Sequence, residues 1–201
     1  MVNTYKLGYT QLQIEIFRLL CRKSGEKLNQ RQIAAFLDVS PAAVSKAIPL
    51  LIKQDLINFV RSENMNLTQI RFNNSNTKAV QLKRIENLRY IYESNFVEFF
   101  ERTWPGCTIV LFGSYSRGED SVRSDIDVAI VGVKLDNRKR TFVTPDPKKE
   151  ELNSEKAEKF NLERFPERKI RMNLIDDLRK IKKELRENIC NGIVLSGGIE
   201  L

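Results

Sequence analysis

The chain has 201 residues, of which 41% are hydrophobic and 30% charged, with a formal net charge of +8 and no histidine. The absence of histidine excludes Ser-His-Asp and Cys-His catalysis and histidine-ligated zinc. Any chemistry must therefore use carboxylates, lysine, hydroxyls or a metal held by oxygen. The cysteines Cys21, Cys107 and Cys190 lack metal or disulfide spacing, and the sequence shows neither a secretory signal nor a long apolar run. We expect a cytoplasmic protein that does not enter the membrane.

The positive charge is concentrated in the first third of the chain. Residues 1–74 carry ten Lys or Arg against five Asp or Glu. This balance suits an anionic partner such as nucleic acid or a nucleotide, although solubility alone would also explain it.

Three segments of this first third carry apolar residues at helical spacing: "YTQLQIEIFRLLCRK", "NQRQIAAFLDV" and "SPAAVSKAIPLLIKQDL". Ser40 is a favourable N-cap and Pro41 suits the first helical position, so they predict where the third helix begins. Two β-rich runs, 57–61 and 67–72, flank the polar turn "SENMN" and predict a hairpin. The predicted inward-facing residues are Tyr9, Leu12, Ile16, Leu19, Ile33, Ala34, Leu37, Val44, Ile48 and Leu51.

The phrase "LNQRQIAAFLDVSPAAVSKAIPLLIKQDLI" and the ribbon after it resemble a winged helix-turn-helix. In that family the third helix enters the major groove of double-stranded DNA and the ribbon touches the backbone. The resemblance makes Ser45, Lys46, Arg61 and Arg71 candidate DNA contacts: the basic side chains with phosphates, Ser45 with a phosphate or a base edge. The alternative is a module for dimerisation or protein binding.

Pro49 departs from the expected pattern because it falls inside the predicted recognition helix. Proline removes the hydrogen bond to the carbonyl of Ser45. The helix is therefore expected either to kink at this position or to be shorter than its apolar pattern suggests.

Residues 76–104 again show helical spacing, with "NSNT" as a cap and Pro105-Gly106 as a stop. One long connector helix is predicted here. Its apolar stripe is predicted to pack on the segment that follows, and consists of Ile85, Leu88, Tyr92, Phe96 and Phe99.

Two aspartates interrupt an otherwise apolar strand in "SDIDVAIVGV". Alternate side chains of a strand share a face, so Asp125 and Asp127 are predicted to point the same way. Two ionised carboxylates side by side repel, and a divalent cation relieves that repulsion. Magnesium prefers carboxylates together with water and substrate phosphates.

The preceding strand, "CTIVLF", ends in the turn Gly113-Ser114. Glycine lets the backbone approach a ligand, and the serine hydroxyl can bind a phosphate oxygen. If "SYSRG" begins a short helix, its free N–H groups would also favour an anion. Phosphate on one side and metal on the other is the arrangement used for nucleoside triphosphates.

The stretch "GSYSRGEDSVRSDID" resembles the signature of the minimal nucleotidyltransferases of the DNA polymerase β superfamily. That signature is Gly-Ser, ten residues and Asp-x-Asp, commonly with Arg-Gly after the serine, here Arg117 and Gly118. The resemblance implies a small mixed sheet and transfer of a nucleoside monophosphate from a nucleoside triphosphate to a hydroxyl. We expect ATP to be the donor. It makes Gly113, Ser114 and Arg117 nucleotide-binding residues, and Asp125 and Asp127 catalytic ligands of Mg²⁺ or Mn²⁺.

The family usually adds a third carboxylate on a later strand, and the matching phrase "MNLI" places Asn173 there. Asparagine can bind a metal through its carbonyl but cannot accept a proton. Arg171 shares the strand face of Asn173, whereas Asp176 would help only if the strand bulges. Metal and nucleotide binding therefore survive this departure better than catalysis does.

The last third contains a charged stretch with the basic cluster Arg138, Lys139 and Arg140, which is either an anion-binding patch or a solvated loop. A helix is predicted from Pro147 to Phe160, then an amphipathic helix in "DDLRKIKKELRENICNG" and an edge strand in "IVLSG". The amphipathic helix is predicted to turn Leu178, Ile181 and Leu185 inward.

The predicted fold class is α+β. A winged helix-turn-helix spans 1–74, a connector helix 75–104 and a nucleotidyltransferase domain with a small mixed sheet 105–201. Two functions remain open: a magnesium-dependent nucleotidyltransferase acting on a partner protein, as antitoxins of the family do, or a DNA-binding regulator that binds nucleotide without turnover. A homodimer is compatible with both.

Overall fold

The computed structural model describes residues 8–61, 68–133, 141–143 and 168–199, and of residues 61 and 141–143 it describes the backbone alone. The chain divides into two compact units, Met1–Lys83 and Arg84–Leu201. The basic cluster Arg138–Arg140 and the helix predicted from Pro147 to Phe160 lie outside the described residues. The predicted α+β class is confirmed.

The first unit contains three helices followed by a two-stranded ribbon. The helices are α1 (Gln11–Arg22), α2 (Gln30–Leu37) and α3 (Pro41–Lys53), and the strands are β1 (Ile57–Arg61) and β2 (Thr68–Phe72). The strands pair antiparallel, with Ile57 opposite Phe72. This is the arrangement of a winged helix-turn-helix.

The sequence predicts the start of α3 correctly. Ser40 is the N-cap, its hydroxyl accepts a hydrogen bond from the backbone N–H of Ala43 at 3.1 Å, and Pro41 is the first helical residue. The inward stripe of α3 is also as predicted, since Val44, Ile48 and Leu51 are all buried. They join residues of α1, α2 and the ribbon in one core.

The turn between α2 and α3 has helix-turn-helix geometry. Only residues 38–40 separate the helices, Asp38 adopts a left-handed φ of 52°, and the chain bends by 108°. Pro49 is exposed and α3 continues past it to Lys53, so the helix is not shortened. Proline removes one backbone N–H donor from the helix, and both Pro49 and Ser45, whose carbonyl loses that donor, are exposed residues.

The predicted connector helix differs from the structure in two respects. It is divided into α4 (Thr77–Glu93) and α5 (Phe96–Thr103), because Asn95 adopts a left-handed φ of 58°. Its buried face also differs, since Ile85 is 60% and Tyr92 48% exposed. Asn87 is buried in their place, and its amide donates to the carbonyl of Tyr115 at 2.9 Å and to Asp120 at 2.7 Å.

The second unit is built on a five-stranded mixed sheet in the order β5–β6–β4–β3–β7. The strands are β3 (Thr108–Phe112), β4 (Ile126–Val131), β5 (Thr141–Val143), β6 (Ile170–Ile175) and β7 (Ile193–Ser196). Strands β4 and β6 are parallel, whereas β3 is antiparallel to both β4 and β7. As predicted, β7 is an edge strand.

Two apolar layers cover the sheet. One face packs with Ile91, Phe96 and Phe100 of α4 and α5. The other packs with Leu178 and Ile189, the latter in the last helix, α7 (Lys183–Cys190). A short helix, α6 (Gly113–Arg117), follows β3.

The amphipathic helix predicted from residue 176 begins later than expected. A 3₁₀ turn at Leu178–Lys180 precedes α7, because the Asp177 carboxylate accepts the backbone N–H of Arg179 at 2.9 Å. This local side-chain bond competes with helix formation.

Among the residues described, no single helix is both long and apolar enough to cross a membrane. The bent pair α2 and α3 has the combined length and composition of a broken membrane span, but it is only these two properties that suggest one.

Candidate active site

Asp125 and Asp127 lie at the start of β4, where the sheet begins. Asp127 pairs with Phe112, the last residue of β3, so the aspartate lies beside the turn at Gly113. Asp125 comes one residue before the strand. The side chains of Asp125 and Asp127 are 25% and 21% exposed, and Ile126 between them is fully buried. The predicted alternation is thus present, with the carboxylates on the partly open face.

Gly113 makes room for one of these carboxylates. Its φ is +75°, a conformation that L side chains rarely adopt, and a Cβ built on it would lie 2.6 Å from Oδ2 of Asp127. Any larger residue would displace the carboxylate. Glycine at this turn is therefore required by both the backbone and the aspartate.

A cationic side chain bridges the two aspartates. Arg171 of β6 donates from Nη2 to Oδ2 of Asp125 at 2.6 Å, and its Nη1 lies 3.7 Å from Oδ1 of Asp127. Arg171 is directly opposite Asp127 in the parallel pairing of β4 with β6, which puts both side chains on the same face. The Arg171 side chain itself is 48% exposed.

The environment of Asp127 opposes its ionisation. Burial raises the pKa of Asp127 above its usual range, the Arg171 guanidinium partly lowers it, and neighbouring Asp125 raises it again. The cause that dominates is desolvation of the carboxylate, which favours the neutral form. A cation beside Asp127 would therefore favour the ionised carboxylate, which burial disfavours.

Asn173 lies deeper in the sheet than the aspartates. It pairs with Ala129, is buried, and donates its amide to the carbonyl of Val128 at 3.4 Å. The strand register thus places Arg171, and not Asn173, opposite Asp127. No described contact joins Asn173 to either carboxylate. The assignment of Asn173 to the third acidic position remains a prediction.

The other residues of the signature lie on α6. Ser114 is half-buried, and its carbonyl accepts the backbone N–H of Glu119 at 3.0 Å. Arg117 is exposed and paired with Glu119 at 2.7 Å. The helix has only five residues, so what it offers a phosphate is the turn itself and the Ser114 hydroxyl.

A buried ion pair fixes the loop between α6 and β4. Asp120, whose side chain is 0% exposed, contacts Arg168 at 2.9 Å, and Arg168 also donates to the carbonyls of Ser121 at 2.5 Å and Ser124 at 3.3 Å. With the bond from Asn87, these contacts hold the segment that leads into Asp125. Sequence analysis did not single out Asp120 or Arg168, because their separation in the chain hides their proximity.

The candidate DNA contacts are placed by the first unit. Ser45 and Lys46 are exposed on the outer face of α3, and Arg71 is exposed on β2. Arg61 lies on β1, and its side chain is outside the described part of the structure. The structure therefore places two of the four candidates on one helix and the other two on the ribbon.

The donor set fits one divalent cation. Asp125 and Asp127 are close enough for a single guanidinium to contact both, and two carboxylates are the ligand type that Mg²⁺ and Mn²⁺ take in phosphate chemistry. Across residues 8–61, 68–133, 141–143 and 168–199, there is no group of three or more His, Cys, Asp or Glu that could hold a metal. The described residues thus supply two carboxylates, and an arginine is opposite them.

Comparison with protein families agrees with the site. The model described as "Nucleotidyltransferase domain" matches residues 93–195, just over half of the chain. The chain therefore belongs to the nucleotidyltransferase domain family. This match covers the turn at Gly113, both aspartates and Arg171. Comparison with curated proteins gave no match.

Among solved structures, the chain is similar to bacterial regulators. A variant of ZitR from Lactococcus lactis is 24% identical, with 49% of this chain and 64% of that one covered and a TM-score of 0.38. Adhesin competence repressor (AdcR) from Streptococcus pyogenes is 22% identical, with coverage of 52% and 72% and a TM-score of 0.40. A ZitR variant in complex with DNA is 24% identical, with coverage of 48% and 63% and a TM-score of 0.37. The chain thus spans less than two thirds of the first of these proteins.

Proposed function

We propose that this chain binds a nucleoside triphosphate with Mg²⁺ or Mn²⁺ and transfers its nucleoside monophosphate to a hydroxyl group. The observation that carries the proposal is the meeting of Asp125 and Asp127 with the Gly113 turn at one end of β3 and β4. Membership of the nucleotidyltransferase domain family supports the same reaction class.

In this proposal each residue has a separate role. Asp125 and Asp127 hold the cation, which would neutralise charge on the phosphates during transfer. Gly113 leaves space for the polyphosphate chain and keeps the Asp127 carboxylate in place, while Ser114 donates its hydroxyl to a phosphate oxygen. Arg117, on the exposed side of α6, can exchange Glu119 for a phosphate.

The acceptor is proposed to be a hydroxyl of a partner protein, with ATP as donor, in keeping with the resemblance to antitoxin nucleotidyltransferases. Removing the acceptor proton is the weak step. Neither Arg171 nor Asn173 can accept a proton, so neither replaces the missing third carboxylate. Turnover is therefore expected to be slow.

Arg171 and Asn173 also favour a second candidate function, nucleotide binding by a DNA-binding regulator. With Arg171 opposite Asp127 and Asn173 bonded to the backbone, the domain would bind nucleotide without turnover. The winged helix-turn-helix would then make the chain a DNA-binding regulator. A homodimer on a palindromic site fits this function.

Transfer of label decides between the two. The full chain is incubated with Mg²⁺ and each α-labelled nucleoside triphosphate, alone and with the product of a neighbouring gene. Label on a protein that disappears in the Asp125→Asn/Asp127→Asn double variant supports the transferase. Nucleotide binding by the wild-type chain without transfer of label supports the regulator. If the wild-type chain neither binds nucleotide nor transfers label, both candidate functions are contradicted.

The Asn173→Asp variant is a sharper companion test. If the missing carboxylate limits turnover from this position, the variant transfers label faster than the wild type. Asn173 faces the Val128 carbonyl and not the aspartates. An unchanged rate in Asn173→Asp would therefore indicate that Arg171, which lies opposite Asp127, limits transfer.

DNA binding is tested on the exposed basic side chains. Lys46→Ala and Arg71→Ala should each weaken binding to double-stranded DNA from upstream of the chain's own gene and reduce its salt dependence. Lys53→Ala, which removes an exposed lysine from the end of the same helix, is the matched control. Equal binding by all three would argue that the module serves another partner.

A further inference from the structure

We propose that Arg171 is an internal counter-cation that competes with a divalent metal for Asp125 and Asp127. It would thereby set the metal concentration at which the site fills. This inference rests on the proposed function, because it takes the aspartate pair as the metal-binding element.

The geometry of the three side chains is the first support. The guanidinium contacts Oδ2 of Asp125 at 2.6 Å and approaches Oδ1 of Asp127 to 3.7 Å, so a single planar group spans both carboxylates. Arginine suits this role because its N–H groups form a rigid fork that can engage two acceptors at once. A metal ligated by both aspartates would need the same oxygen atoms.

Charge is the second support. The two ionised aspartates carry two negative charges, and Arg171 neutralises one of them. A divalent cation neutralises both, but the guanidinium repels it for as long as the two are neighbours. Before a metal binds, the Arg171 guanidinium therefore reduces the repulsion between the two carboxylates that it contacts.

Exposure is the third support, and it distinguishes Arg171 from Arg168. The Arg171 side chain is 48% exposed, whereas that of Arg168 is 10% exposed and contacts a fully buried carboxylate. Arg171 can leave the aspartates by rotating into solvent without opening the core. Arg168 has no such freedom, so only Arg171 is suited to reversible displacement.

The test measures binding of Mn²⁺ alone to the full chain, without nucleotide, from the loss of the free ion's electron paramagnetic resonance signal. Arg171→Gln should bind Mn²⁺ about tenfold more tightly than the wild type. A half-exposed ion pair accounts for a few-fold of this change and removal of the repelling charge for the rest. Arg171→Lys should fall between the two, because an ammonium keeps the charge but cannot form the fork.

Arg179→Gln is the matched control. It removes the same charge from an exposed arginine of the same unit, one that pairs with Asp177 and not with the candidate site. Its Mn²⁺ affinity should equal that of the wild type. If the control changes as much as Arg171→Gln, the effect is one of net charge and the proposal is overturned.

Equal or weaker Mn²⁺ binding by Arg171→Gln also overturns the proposal. Should that variant not fold, as judged by circular dichroism, the same criterion applies to Arg171→Lys, which must bind more tightly than the wild type. An unchanged affinity with label transfer intact refutes the competition and leaves the proposed function standing. Failure of every variant to bind Mn²⁺ refutes both the competition and the metal requirement.

Discussion

The substitution Gly113→Ala tests two reasons why a glycine is needed at this position: the positive φ of the backbone and the nearby Asp127 carboxylate. The Gly113 φ of +75° is nearly that of Gly106, at +76°. A Cβ at Gly106 would meet nothing within 4 Å, whereas a Cβ at Gly113 would lie 2.6 Å from Oδ2 of Asp127. Gly106→Ala therefore reproduces the backbone strain without the contact and is the natural control.

The two variants should lose similar stability. A left-handed conformation costs an L residue about 1–2 kcal/mol, and both positions incur that cost. The additional clash at Gly113 involves the end of an aspartate side chain, which can rotate away. We therefore expect the free energies of unfolding of the two variants to agree within about 0.5 kcal/mol, the usual additivity error.

Cation binding should distinguish them. Rotation of Asp127 removes one carboxylate from the pair, so Gly113→Ala should weaken Mn²⁺ binding about 10–100-fold, as loss of ligand orientation does at metal sites. Gly106→Ala should bind like the wild type. Stability is followed in urea by the fluorescence of Trp104, which is the single tryptophan and belongs to the second unit.

Two results would refute this reasoning. Equal Mn²⁺ binding by both variants would mean that the Asp127 carboxylate is not needed where the structure places it. A loss of stability several kcal/mol greater for Gly113→Ala would mean that the backbone, and not the aspartate side chain, absorbs the contact.

Three further predictions concern stability. Arg168→Met should lower the free energy of unfolding by about 3–5 kcal/mol because it leaves the buried Asp120 carboxylate without its cation. The control Arg179→Met, at an exposed arginine, should have no measurable effect on stability. A loss below about 1 kcal/mol for Arg168→Met would mean that water reaches the ion pair of Arg168 and Asp120. Because burial raises the folded-state pKa of Asp127, its contribution to stability is present below the unfolded pKa and is lost as the pH rises through the folded value. Asp127→Asn should therefore stabilise the second unit at pH 7 but not at pH 3, and an equal gain at both would contradict this. Ser40→Ala should cost the first unit about 1 kcal/mol by circular dichroism, since it removes the α3 cap, and Ser40→Gly less.

The sequence by itself determined the elements whose causes are local. Ser40 and Pro41 set the start of α3 because capping depends on neighbours within one turn. The alternation of Asp125 with Ile126 and Asp127 predicted the shared face because a strand has a fixed period of two. The Gly113-Ser114 turn and the aspartate pair were recognisable for the same reason, as a short motif of fixed spacing.

Tertiary structure decided the features that join distant segments. The burial of Asn87 in preference to Ile85 depends on hydrogen bonds from Asn87 to Tyr115 and Asp120, which helical periodicity cannot anticipate.

The register of β6 against β4 is the most consequential case, since it places Arg171 opposite Asp127 and Asn173 opposite Ala129. A parallel register is set by packing on both faces of the sheet and by the crossover between the strands, and no local pattern in either strand specifies it.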